Sequence, residues 1–146
     1  MNRWEVWFLH IANALVAATG ILYGVMRYLI KPVGEFAVVN HPWQPLMQHL
    51  HVLFAPLLVF AVGIIWSSHV RHQLRSGVRQ GRRSGWTLIL MFAPMSLSGY
   101  LIQVAVEEHW RLAWVIVHCI TSGLWVIGTL VHLVLPAKGL PEEVDR

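Results

Sequence analysis

Apolar residues run through this chain in four long blocks, roughly Trp4 to Ile30, Leu46 to Ser68, Trp86 to Val106 and Leu112 to Leu135. Each block holds 21 to 27 residues, and about 20 residues at 1.5 Å rise cross the roughly 30 Å hydrocarbon core of a bilayer. The blocks are continuous, and a backbone in lipid must satisfy its own hydrogen bonds. Each therefore predicts a helix, not one of the alternating strands of about 10 residues that build a membrane barrel. The first block is too long for a signal-peptide core and lacks a convincing cleavage site, so it reads as a retained helix. The expected fold is an all-α membrane protein, a single four-helix transmembrane bundle over residues 1–146.

Composition points the same way. Of 146 residues 56% are hydrophobic and only 12% charged, about half the charge that covers a soluble surface, so lipid is the first expected partner. The net charge of +4 is not a nucleic-acid signal, because the arginines concentrate in one short connection. That stretch, His69 to Gly85, carries Arg71, Arg75, Arg79, Arg82 and Arg83, whereas only Glu107, Glu108 and Arg111 are charged between the third and fourth blocks. Basic loops stay on the cytoplasmic side, which places both termini inside, with Arg3 and Lys138 near the membrane. Arg27, Lys31 and Arg111 remain outside, in or beside an outer connection from Lys31 to Pro45 broken by Pro32, Gly34, Pro42 and Pro45. Trp43, Trp86 and Trp110 fit interfacial anchoring. The bacterial inner membrane is the expected location. A single cysteine, Cys119, excludes an internal disulfide framework, a four-cysteine zinc site and a cysteine-held iron–sulfur cluster.

The candidate chemistry lies in histidines. His10, His51, His118 and His132 fall inside or near the ends of apolar blocks, where a polar side chain is costly unless it finds a partner. His118 and His132 are 14 residues apart, about 21 Å of rise and within about 40° of whole turns, so both project from one face at different depths. That arrangement suits two stacked cofactors better than one metal ion, whose ligands must converge. By depth His51 matches His118 near the outer side, and His10 matches His132 near the inner side. A flat porphyrin with one imidazole on each iron face satisfies either pair. With no C-x-x-C-H motif, such a haem is noncovalent. Two substitutes stay open: His69, 18 residues after His51 and so on the same face of an ideal helix, for His10; and His49 for His51. His41, His72 and His109 read as connection or interface residues.

The segments WFLHIANALVAATG, HLHVLFAPLLVFAVG, SLSGYL and VIVHCITSGLWVIGTLVHL resemble the superfamily of cytochrome b561 and of the cytochrome b subunits of nickel hydrogenases and formate dehydrogenases, over nearly the whole chain. The resemblance implies two noncovalent b haems, the outer held by His51 and His118 and the inner by His10 and His132. It further implies electron transfer across the bilayer between a quinone or quinol pool and a redox partner subunit, such as a multihaem cytochrome or a periplasmic oxidoreductase. An electron-transfer subunit is expected rather than an enzyme acting alone, and bis-histidine ligation leaves no open iron position for oxygen activation.

Three other readings use the same residues: a stand-alone quinone-linked oxidoreductase such as a superoxide oxidase, a metal or haem transporter, and a cofactor-free packing subunit whose histidines only bridge helices. Transport by alternating access calls for internal repeats or broken helices, and neither is expected from this sequence. Gly20 and Gly24 form a G-x-x-x-G pair that reads as helix packing, while Gly63, Gly99, Gly123 and Gly128 are candidate small neighbours of a macrocycle. Trp125, seven residues from both His118 and His132, reads as an aromatic spacer, Cys119 as a small packing residue, and Arg3, Arg27 and Arg111 as candidate propionate partners.

Overall fold

The computed structural model describes residues 2–32, 34, 37–75 and 82–134, and every regular element among them is helical. Four helices are long and apolar enough to cross a membrane. The chain divides into two compact units, Met1–Ser76 and Gly77–Arg146, each built round its own helix pair. Arg79 and Lys138, assigned above to the cytoplasmic side, lie outside the described residues.

In the first unit, α1 (Arg3–Tyr28) pairs with α2 (Gln44–Ile65). The residues of α1 that become buried are Glu5, Ala12, Thr19 and Met26, one every seventh position. Seven residues are close to two helical turns, so this spacing keeps one seam against a partner, as in left-handed helix pairs. Along α2, Gln44, Leu58 and Ile65 are buried at the same interval, with half-buried His51 in the remaining place. The pair is antiparallel, because contacts run in opposite order along the two helices. Ser68 meets Glu5, Phe60 meets Phe8 and His51 meets Thr19.

The ends of this hairpin are closed by side chains. Glu5 Oε2 accepts from the Asn2 backbone N–H at 3.0 Å, satisfying a donor at the start of α1 and placing an acid where the helix dipole favours it. At the other end, Asn40 Nδ2 donates to the Arg27 carbonyl at 2.8 Å, and the Asn40 backbone N–H donates to buried Gln44 Oε1 at 3.0 Å. One residue of the connection thus ties down the last turn of α1 and the first of α2. Pro45 lies in the opening turn of α2, not in the connection, because a proline there forfeits no helical hydrogen bond.

The second apolar block does not end where its hydropathy falls. Beyond Ile65 the helix passes through a π turn, Trp66–Val70, into α3 (Arg71–Arg75). Of the expected connection from His69 to Gly85, the described residues 69–75 and 82–85 are helical. A helix can continue past the hydrocarbon because water satisfies its last carbonyls, and basic residues in the closing turn suit its dipole.

In the second unit, α4 (Arg82–Val104) and α5 (Glu108–Val134) are joined by three residues, Ala105–Glu107. So short a link makes neighbouring helices antiparallel. Ser98 accordingly meets His118, Phe92 meets Trp125 and Ser84 meets His132. Pro56 and Pro94 lie inside α2 and α4, as apolar helices with neighbours tolerate.

Very little of either unit is buried. Leu53, Phe60, Tyr100 and Ile127 are each 60% exposed or more, and outward-facing apolar side chains recur along all four long helices. Such a surface in water is an aggregation liability, and against lipid it costs nothing.

Candidate functional site

His51 projects from the second turn of α2 onto α1. Its Nδ1 lies 3.0 Å from the Val16 carbonyl oxygen and 3.5 Å from Thr19 Oγ1. The ring edge rests on Gly20, where a Cβ would stand 2.6 Å from His51 Cε1. A carbonyl can only accept. The Thr19 hydroxyl proton is directed to backbone carbonyls, 2.7 Å to Leu15 and 3.2 Å to Val16, so towards the ring Thr19 also offers a lone pair. Two acceptors at Nδ1 require a proton there, and a neutral ring then carries its lone pair on Nε2.

His118 sits on α4 in the same way. Its Nδ1 is 3.0 Å from the Met95 carbonyl and 3.4 Å from Ser98 Oγ. Ser98, 1% exposed, gives its hydroxyl proton to the carbonyls of Pro94 at 2.6 Å and Met95 at 3.0 Å. A Cβ on Gly99 would stand 3.0 Å from His118 Cε1. The tautomer that follows is again Nδ1–H with the lone pair on Nε2.

His132 belongs to the same α4-facing stripe, its Nδ1 3.0 Å from Ser84 Oγ. Here a hydroxyl can donate or accept, so the partner alone does not choose the tautomer. His118 and His132 therefore do share a face. That face is turned towards α4, and Trp125 between them is 8% exposed with its ring 5.6 Å from Phe92. Within its hairpin Trp125 is a packing residue.

His10 behaves differently. It is half-buried on α1, nine residues before Thr19 and so about 180° round the helix from the seam that faces α2. His49 is exposed while His51 two residues on faces α1, as the 200° between them requires. His69 lies inside the π turn, and the wider turn alters the face expected for it. Ser68, beside it, contacts α1 as His51 does.

The remaining histidines serve the connections. His41 Nδ1 accepts from the Trp43 backbone N–H at 3.2 Å and its carbonyl accepts from Gln44. His72 is exposed on α3, and His109 lies 4.0 Å from Glu107 with both side chains 72% exposed, a contact of little energetic weight. No group of three or more His, Cys, Asp or Glu side chains gathers among the described residues; bis-histidine ligation needs only two. Arg3, Arg27 and Arg111 are exposed. Of the small residues, Gly20 and Gly99 are in close contact with histidines, Gly128 lies against Leu88, and Gly24, Gly63 and Gly123 have nothing within 4 Å of an added Cβ.

Sequence reading passes over Thr19 and Ser98, the residues beside the two rings, although the signal is present. V-x-x-T-G at 16–20 and M-x-x-S-G at 95–99 place a hydroxyl and then a glycine three and four residues after the bonding carbonyl. The two hairpins thus share a local hydroxyl–glycine pattern. Sequence reading also misses Glu5. This carboxylate is 8% exposed at the start of α1 and accepts from Ser68 Oγ at 3.1 Å as well as from Asn2. Comparison of the chain with family models, with curated proteins and with solved structures finds no match.

Proposed function

We propose that this chain is an integral membrane cytochrome of the b type, held in a bacterial inner membrane with both termini on the cytoplasmic side. It passes electrons across the bilayer between a quinone or quinol pool and a redox partner subunit. The observation that carries the proposal is the setting of His51 and His118. Each ring has Nδ1 committed to a backbone carbonyl and is thereby put in the tautomer that offers Nε2 to a metal. Axial histidines are oriented by this kind of outer hydrogen bond, which also raises their basicity.

The donor set therefore fits a haem. By the sequence resemblance and by depth, His51 and His118 would hold one, and His10 and His132 a second. A haem bound there would supply one-electron exchange between ferric and ferrous iron. The chain's own part is to orient the imidazoles, withhold other ligands and surround the group with apolar side chains, which together tune its potential. Lipid takes up the outward-facing apolar surface.

A second reading draws on the same hydrogen bonds. His51, His118 and His132 bridge helices, which is also what a cofactor-free packing subunit requires. A pyridine haemochrome assay on the purified full chain separates the two. Two b haems are expected per chain, falling towards one in His10→Ala and unchanged in His69→Ala. Loss confined to His69→Ala would move the inner ligand to the π turn, and a parent without haem would leave the packing reading standing.

A further inference from the structure

The two hairpins hold a histidine by the same parts in the same order. In the first, the carbonyl of Val16, the hydroxyl of Thr19 and the bare backbone of Gly20 surround one edge of His51. In the second, Met95, Ser98 and Gly99 do so for His118. The distances correspond closely: 3.0 and 3.0 Å to the carbonyl, 3.5 and 3.4 Å to the hydroxyl, 2.6 and 3.0 Å to a notional Cβ. A side-chain hydroxyl in a helix ordinarily bonds the preceding turn and does nothing further. Here that back-bond has a second effect, because it spends the hydroxyl proton on Leu15 or Pro94 and turns a lone pair to the ring. Glycine next in sequence lets the ring approach closely enough to use it.

At His132 the Nδ1 neighbour is a hydroxyl, Ser84 Oγ at 3.0 Å. Resting on the di-haem reading above, we propose that Thr19 with Gly20 and Ser98 with Gly99 are positioning residues. They set the orientation and donor strength of His51 and of His118, and through each ring the reduction potential of the haem that ring would hold. An acceptor at Nδ1 makes the imidazole more basic and favours ferric iron; removing a hydroxyl acceptor weakens this and raises the midpoint.

The test uses the full chain with Thr19→Val and Ser98→Ala, read by haem per chain, potentiometric titration of each b-haem band and low-temperature electron paramagnetic resonance. Each variant should keep two haems and raise the midpoint of the haem that its histidine would hold, changing its ferrous-to-ferric ratio at fixed poise by up to about tenfold, which is about 59 mV for one electron. The resonance of that haem should move with it, the other should stay, and Thr19→Ser and Ser98→Thr should restore parental values. Thr19→Ala serves where the valine variant does not accumulate. Unchanged midpoints overturn the proposal, and so does an equal shift of both haems in either variant.

A parent without haem overturns the di-haem reading, and the positioning of the rings is then read separately. Nitrogen-15 spectra of the histidines in the haem-free chain should show Nδ1–H tautomers for His51 and His118 that respond to Thr19→Val and Ser98→Ala respectively. Nε2–H tautomers, or no response, overturn the positioning role itself.

Discussion

A single methyl group separates an open position from a closed one along α1. At Gly20 an added Cβ meets His51 at 2.6 Å, while at Gly24 it meets nothing within 4 Å. Gly20→Ala must push the ring from its carbonyl, an overpacking cost of about 1–3 kcal/mol. Gly24→Ala should be neutral or stabilising by up to about 1 kcal/mol, since alanine is the better helix former. Thermal unfolding in detergent compares the two, and equal losses would remove the claim that Gly20 serves His51. The G-x-x-x-G pattern is plain in the sequence, but it does not disclose that only its first glycine is needed inside the hairpin. That depends on where the partner helix sets an imidazole.

Among the elements, the π turn is the feature that periodicity could not foretell. Hydropathy extends α2 to Ser68 as an ideal helix, and on that assumption His69 shares the face of His51. The structure instead opens one turn at Trp66–Val70, and Ser68 comes to donate to the buried carboxylate of Glu5. A wider turn shifts every later residue round the axis, so arithmetic across it fails. Ser68→Ala removes a donor from a buried carboxylate and should destabilise the chain by about 1–3 kcal/mol. The same substitution in a Glu5→Gln background should cost less. A double-mutant cycle in thermal unfolding measures this coupling, and additive losses would show that the contact carries no energy of its own.

For the whole molecule, the proposed orientation rests on the arginines between residues 71 and 83. With Cys119→Ser as background, a cysteine introduced by Arg75→Cys should react with an impermeant maleimide only from the cytoplasmic side, and one introduced by Glu107→Cys only from outside. The reverse pattern would invert the topology and with it the inner and outer assignments of the histidines. The continuation of α3 to Arg75 and the start of α4 at Arg82 leave the orientation argument intact, because it counts basic residues near the membrane whatever their local structure.

Four apolar blocks of membrane-spanning length, the shared face of His118 and His132, and the opposed faces of His49 and His51 all follow from the sequence alone. Each depends only on the length and pitch of a regular helix. The helix ends were less legible, because capping by Asn40 and Glu5 and continuation past the hydrocarbon depend on partners distant in the chain or on water. The holding of His51 and His118 was decided wholly by tertiary structure. Val16 and Met95 contribute backbone carbonyls, which no side-chain identity announces, and Thr19 and Ser98 acquire meaning only when an antiparallel helix brings a ring to their level. Helical period is a local property of the chain, whereas the hydrogen bond that chooses a histidine's tautomer belongs to two helices at once.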